Sequence, residues 1–131
     1  MILETSFILD LWSGDRRAVA KAREIDARGE PLYLPTPVLF ELWEGVARSE
    51  RPREETAKVR GFIESHDLLP FGDADAREAG LLSGALARAG RKMGTVDVQV
   101  AGMAKARGEP LLTADRRFRE LSPDVRLEDY P

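Results

Sequence analysis

Four acidic residues stand where acids are out of place. Glu4 follows the apolar run Met1 to Leu3, Glu41 is flanked by Val38, Leu39, Phe40, Leu42 and Trp43, Asp97 lies between Val96 and Val98, and Asp115 follows Leu111, Leu112, Thr113 and Ala114. A carboxylate in apolar company is seldom buried unless something pairs or ligates it, so each calls for a compensating partner. Taken singly, each reads as a salt bridge or a helix cap. Brought together they would repel one another, and a divalent cation is the usual way to offset that. The other acids sit in polar company, as Glu54 and Glu55 or Asp73 and Asp75 do, and read as solvated or capping groups.

Composition narrows the chemistry. With no Cys and a single His, His66, the 131 residues exclude zinc centres, thiol nucleophiles and disulfide scaffolds. What remains is carboxylates, hydroxyls, Arg and Lys, an inventory suited to hard, oxygen-liganded cations such as Mg²⁺ or Mn²⁺. The 23 acidic and 20 basic residues leave a net charge of -3, so a polyanion would have to be bound locally and not by bulk charge. Of the basic residues 16 are Arg, whose planar fork suits phosphate. Those expected nearest the site are Arg88, Arg91 and Lys92 ahead of Asp97, and Arg116 and Arg117 after Asp115. A hydrophobic fraction of 43% predicts one domain over residues 1–131. The first residues lack the basic region of a signal peptide, and apolar runs are only a few residues long; a cytoplasmic protein without a membrane partner is expected.

The elements that must position the acids follow from periodicity. Short apolar runs closed by Thr predict buried strands, and between them Val19, Ala22 and Ile25, Val59, Phe62 and Ile63, and Ala79, Leu82, Leu86 and Ala89 keep helical spacing. The pattern predicts strands over 1–4, 31–35, 68–71, 110–113 and 125–128, and helices over 6–13, 15–28, 37–48, 52–66, 75–89, 96–107 and 115–121. Thr36 before Pro37 reads as an N-cap, Asp75 with Glu78 as a capping box, and Gly29, Gly90 and Gly108 as left-handed helix ends. The pentapeptide Ala-Arg-Gly-Glu-Pro occurs at 27–31 and again at 106–110, one helix-to-strand turn used twice. Strands alternating with helices favour an α/β fold with a parallel sheet, whose site lies beyond the carboxyl ends of the strands. Glu4 and Asp115 fall just after strands, Glu41 and Asp97 in early helical turns, so all four can meet at that edge.

The segments Met1-Ile-Leu-Glu4-Thr5-Ser6-Phe7-Ile8-Leu9-Asp10-Leu11, Phe40-Glu41-Leu42-Trp43-Glu44-Gly45, Gly94-Thr95-Val96-Asp97 followed by Ala101, and Leu112-Thr113-Ala114-Asp115-Arg116-Arg117-Phe118 resemble the motifs of PIN domains. In particular they resemble VapC-type ribonuclease toxins of toxin–antitoxin pairs, in order and spacing over nearly the whole chain. The resemblance implies a three-layer α/β/α sandwich around a mainly parallel sheet, and an endoribonuclease that hydrolyses RNA phosphodiesters with Mg²⁺ or Mn²⁺. By position it puts the metal-binding acids on Glu4, Glu41, Asp97 and Asp115, and the active-site hydroxyls on Thr5 or Ser6 and on Thr113. It also implies a cognate antitoxin and a homodimer. Arg88, Arg91, Lys92, Arg116 and Arg117 are the candidates for RNA contact.

Two positions depart from the family pattern: Glu4 stands where Asp is usual, and Thr95 where a further acid is frequent. The alternative reading is therefore a catalytically weakened or inactive PIN-fold binding module. A phospho-acceptor receiver is disfavoured, because the third strand runs into Phe71 and Gly72 without an Asp and no Lys follows Lys105. Asp10 matches a frequent acid of the first motif, but its distance from Glu4 suits a stabilising or solvent-facing role. Glu44 and Arg48 read as an exposed pair, His66 as a helix-end partner, and Trp12 and Trp43 as either core or partner-facing surface.

Overall fold

In chain order the elements are β1 (Ile2–Leu3), α1 (Thr5–Trp12), α2 (Arg16–Ala27), β2 (Tyr33–Pro35), α3 (Thr36–Arg48), α4 (Pro52–Ser65), β3 (Asp67–Leu69), α5 (Asp73–Arg88), α6 (Thr95–Arg107), β4 (Leu111–Leu112), a 3₁₀ turn (Arg116–Leu121) and β5 (Leu127–Glu128). This computed structural model describes residues 1–121 and 123–130; Ser122 and Pro131, which belong to the expected 1–131 domain, lie outside the described residues. Every expected strand is found. So is every expected helix, except that 115–121 forms a 3₁₀ turn, the tighter geometry used for short connections. The third strand closes at Leu69 and not at Phe71, because Pro70 has no N–H to extend a ladder.

The sheet order is β3-β2-β1-β4-β5 and every pairing is parallel. Parallel neighbours need crossovers, which the helices supply. Right-handed crossovers put the connections from β1 out to β3 on one face of the sheet and the return to β4 on the other, giving three layers. The order reverses between β1 and β4, so the crevice of this fold opens beyond the carboxyl ends of those two strands. Both are covered on both faces: Ile2, Leu3, Leu111 and Leu112 have no exposed surface. Phe7 and Ile8 of α1, Val38 and Leu42 of α3, and Val100, Ala101, Met103 and Ala104 of α6 complete the core around them.

α6 is buried on more than one side because α5 packs directly against it. Gly102 makes that approach possible, since a Cβ there would lie 2.5 Å from the backbone nitrogen of Ala79. Asp75 fastens the pair. Its carboxylate accepts from the Gly72 N–H at 2.8 Å, capping α5, and from Arg107 Nε and Nη2 at 3.2 and 2.9 Å, joining the start of α5 to the end of α6. Asp75 is a capping acid, as the sequence suggests, but its reading as solvated or boxed with Glu78 is corrected: it is buried, and Gly72 is its capping partner. Thr36 is corrected as well. α3 starts directly after β2, so Thr36 is its first residue and the hydroxyl accepts from the Phe71 N–H at 3.1 Å. The two Ala-Arg-Gly-Glu-Pro turns do share a conformation, with φ of +67° at Gly29 and +63° at Gly108, and they lead into strands on either side of β1.

Candidate functional site

Glu4 leaves β1 and caps α1. Its extended backbone turns the chain out of the sheet, and Oε2 accepts from the Ser6 N–H at 3.1 Å and from the Ser6 hydroxyl. From the neighbouring strand, the Thr113 hydroxyl donates to the same oxygen at 2.9 Å and accepts from the Asp115 N–H at 2.9 Å. The carboxyl ends of β1 and β4 are thereby joined by side chains at the point where the sheet order reverses. Glu4 is 5% exposed and Thr113 3%.

Burial raises the Glu4 carboxyl above its ordinary range, against the pull of the bonds from Ser6 and Thr113, and the charge of Asp97 adds to the rise. Glu41, in the second turn of α3, is half-buried and accepts from the Thr5 hydroxyl at 2.6 Å, which ties α3 to α1. Asp97, in the first turn of α6, is also raised, first by burial and then by the charges of Glu41 and Asp115, while Arg117 pulls it down. Asp115 is held below the ordinary range by hydrogen bonds from Arg117. The charge of Asp97 thus bears on Glu4, and those of Glu41 and Asp115 bear on Asp97.

Among the described residues no three acidic or imidazole side chains lie close enough together to enclose a metal ion. The donor set is nonetheless all-oxygen and anionic, which fits a hard divalent cation in chemical class. In the structure the positive charge beside it comes from Arg117, whose Nη2 lies 2.6 Å from Asp115 and 3.4 Å from Asp97. Among the described residues, the other expected RNA contacts form no ion pair with these acids. Arg91 pairs with Glu120 at 3.4 Å, Arg88 ends α5, Lys92 lies in the connection to α6, and Arg116 opens the 3₁₀ turn, all of them exposed.

Sequence reasoning missed Tyr130. Its buried hydroxyl donates to Asp10 at 2.7 Å and its ring meets Phe7 edge-on, which brings the last strand's extension up to α1. Burial pushes the phenol well above its usual range, with Asp10 adding to the rise and Ser6 opposing it. Asp10 has the stabilising role expected of it. A lone Tyr beside Asp129 carries no local signal of a partner 120 residues away. Trp12 packs edge-on to Phe62, whereas Trp43 and Phe40 on α3 are 37% and 50% exposed. Glu44 and Arg48 pair on the surface at 3.7 Å, and His66 contacts the Phe62 carbonyl at 3.0 Å at the end of α4.

A family model described as the PIN domain matches residues 1–122. The tRNA(fMet)-specific endonuclease VapC of Shigella flexneri is 35% identical over 99 residues, 76% of this chain and 75% of that one. Ribonuclease VapC2 of Haemophilus influenzae is 28% identical over 112 residues, 86% and 83% of the two chains. Among solved structures, DNA-bound VapBC from Salmonella typhimurium superposes with a TM-score of 0.85 at 27% identity, covering 99% of this chain and 97% of the other. VapBC2 from Rickettsia felis, bound to a DNA fragment from its promoter, superposes with a TM-score of 0.88 at 21% identity over 99% and 98%, a likeness of fold.

Proposed function

The chain belongs to the PIN-domain family, and from that membership we propose that it is a metal-dependent endoribonuclease, the toxin of a type II toxin–antitoxin pair, hydrolysing RNA phosphodiesters. The observation that carries this reading is the joining of Glu4 and the Asp115 backbone through Thr113 at the reversal point of the sheet, with Asp97 and Asp115 close enough to share the Arg117 guanidinium. The similarity to VapC endonucleases supports RNA as the substrate.

A divalent cation, which we assign as Mg²⁺ or Mn²⁺, would be held by Glu4, Glu41, Asp97 and Asp115. Such a cation supplies Lewis-acid activation of water and of the scissile phosphate. Thr113 and Ser6 orient the Glu4 carboxylate, and Thr5 orients that of Glu41, so two of the acids are fixed by hydroxyls that reach them from neighbouring elements. Arg88, Arg91, Lys92 and Arg116 give a cationic approach for the RNA backbone. Total RNA incubated with and without Mg²⁺ or Mn²⁺, with fragment ends mapped, tests the reading: cleavage by the wild-type chain that disappears on chelation and in Asp97→Asn supports it, and metal-independent or absent cleavage overturns it.

The partner in this reading is an antitoxin whose cationic tail enters the acidic crevice, and the toxin is a cytoplasmic homodimer. Exposed Phe40 and Trp43 on α3 offer apolar contact beside Glu41. Among the described residues no helix is long and apolar enough to cross a membrane. One feature favours the alternative of a weakened or inactive PIN-fold binding module: the Glu4 carboxylate is spent on capping its own helix. The same assay decides, since that module would bind RNA or partner without cutting.

A further inference from the structure

Arg117 is bound to the acid pair more tightly than an exposed surface residue needs to be. Its Nε lies 3.1 and 3.0 Å from the two oxygens of Asp115, its Nη2 lies 2.6 Å from Asp115 Oδ2, and its backbone N–H donates to Asp115 Oδ1 at 3.0 Å. The same Nη2 reaches Asp97, on a different element, at 3.4 Å. Yet the side chain is 62% exposed. A guanidinium so placed is held by charge and not by packing, so it can leave without disturbing the core.

The oxygens it occupies are oxygens that a divalent cation at this site would take. A carboxylate lone pair serves one cation at a time, and two cations in contact repel each other. Resting on the nuclease reading above, we propose that Arg117 is a displaceable counter-ion: binding of a divalent cation at Asp97 and Asp115 releases its guanidinium, which then takes a phosphate of the RNA. The released group stays at the site because its own backbone is tethered two residues from Asp115. By linkage, whatever holds Arg117 on phosphate also tightens the cation, and the converse. Cation and substrate then bind cooperatively through one side chain, and the acid pair stays neutralised when neither is bound.

The test compares wild type with Arg117→Gln and Arg117→Lys by calorimetric titration of Mn²⁺, alongside KM for a short fluorescent RNA at saturating Mn²⁺. Removing the competing charge in Arg117→Gln tightens Mn²⁺ binding by roughly three- to ten-fold, from the worth of exposed ion pairs and the lost repulsion. KM rises by a similar factor, roughly three- to ten-fold, because a phosphate contact is gone. Arg117→Lys, which keeps the charge but not the fork, falls between the two for both readouts. A merely structural role would weaken metal and substrate binding together. Unchanged or weaker Mn²⁺ binding in Arg117→Gln, with cleavage retained, overturns the displacement and leaves the nuclease reading standing. Failure of the wild-type chain to bind Mn²⁺ at all overturns both.

Discussion

The hydroxyl of Thr113 donates to the buried carboxylate of Glu4 at 2.9 Å, joining residues 109 positions apart across the two central strands. The same oxygen accepts from the Asp115 N–H, so one hydroxyl fixes both an acid and the backbone that carries the next acid. Thr113→Val keeps the shape and removes both bonds. Leaving a buried carboxylate one donor short and a backbone N–H unpaired costs on the order of 1–3 kcal/mol. Urea unfolding is expected to show that loss together with weaker cleavage, and a variant as stable as wild type would mean that the bond contributes nothing.

Asp97 gives a pH signature. Its carboxyl is raised in the folded chain, chiefly by burial, so between the ordinary carboxylate range and that raised value the folded state binds more protons than the unfolded one. Stability from this group is therefore lost as pH rises through that window. Asp97→Asn is expected to unfold at a higher urea concentration than wild type at about pH 7, an advantage that shrinks toward about pH 3, where both chains carry a neutral group at that position. Cleavage by the variant should be abolished. An Asp97→Asn chain that is less stable at neutral pH would show that the Arg117 contact outweighs the burial cost.

Which parts of this arrangement are legible in the sequence depends on how local their causes are. β1 and β4 can be read because strands buried on both faces are unbroken apolar runs, and Glu4 and Asp115 stand out by interrupting or following them. Asp97 and Glu41 are conspicuous for the same reason. Asp75 is not, because its charged partner is Arg107, 32 residues on, and its polar neighbours give no hint of that. Thr36 is misread for a similar cause: a hydroxyl beside a proline has an obvious local job, and the Phe71 N–H, 35 residues away, has a stronger claim on it. Residue type alone also cannot separate Trp12 from Trp43, one packed on Phe62 and the other facing outward.

Gly102 controls where α6, and with it Asp97, can sit. A methyl at this position meets the nitrogen, Cα and Cβ of Ala79 at 2.5 to 2.6 Å, contacts with backbone that cannot rotate away. Gly102→Ala must push α5 and α6 apart, and overpacking of this kind costs about 1–3 kcal/mol or more. The helix propensity of Ala, worth up to about 1 kcal/mol, offsets only part of it. A lowered thermal midpoint with reduced cleavage is expected. An equal or higher midpoint would show that the two helices have room to separate freely.

Glu4 offers the sharpest test of the site assignment. Relative to Asp, its extra methylene moves the carboxylate by about one bond length, whereas metal–ligand distances are tolerated only within about 0.2 Å. The side chain here curls back onto the Ser6 N–H at 3.1 Å and also takes the Thr113 hydroxyl, so bringing an oxygen to a cation requires rotation or a shift of the cation. Mg²⁺ holds to near-ideal octahedral geometry, and Mn²⁺ is the more forgiving ion, so the misfit weighs more on Mg²⁺. Asp is also among the best N-caps, so Glu4→Asp keeps the start of α1 intact. Glu4→Asp is therefore expected to raise the cleavage rate in Mg²⁺ more than in Mn²⁺, and Glu4→Ala to lower it in both. Initial rates beside calorimetric titration of each ion measure this directly. Should Glu4→Asp leave both ions unchanged, Glu4 is a helix cap and not a ligand, and the cation rests on Glu41, Asp97 and Asp115.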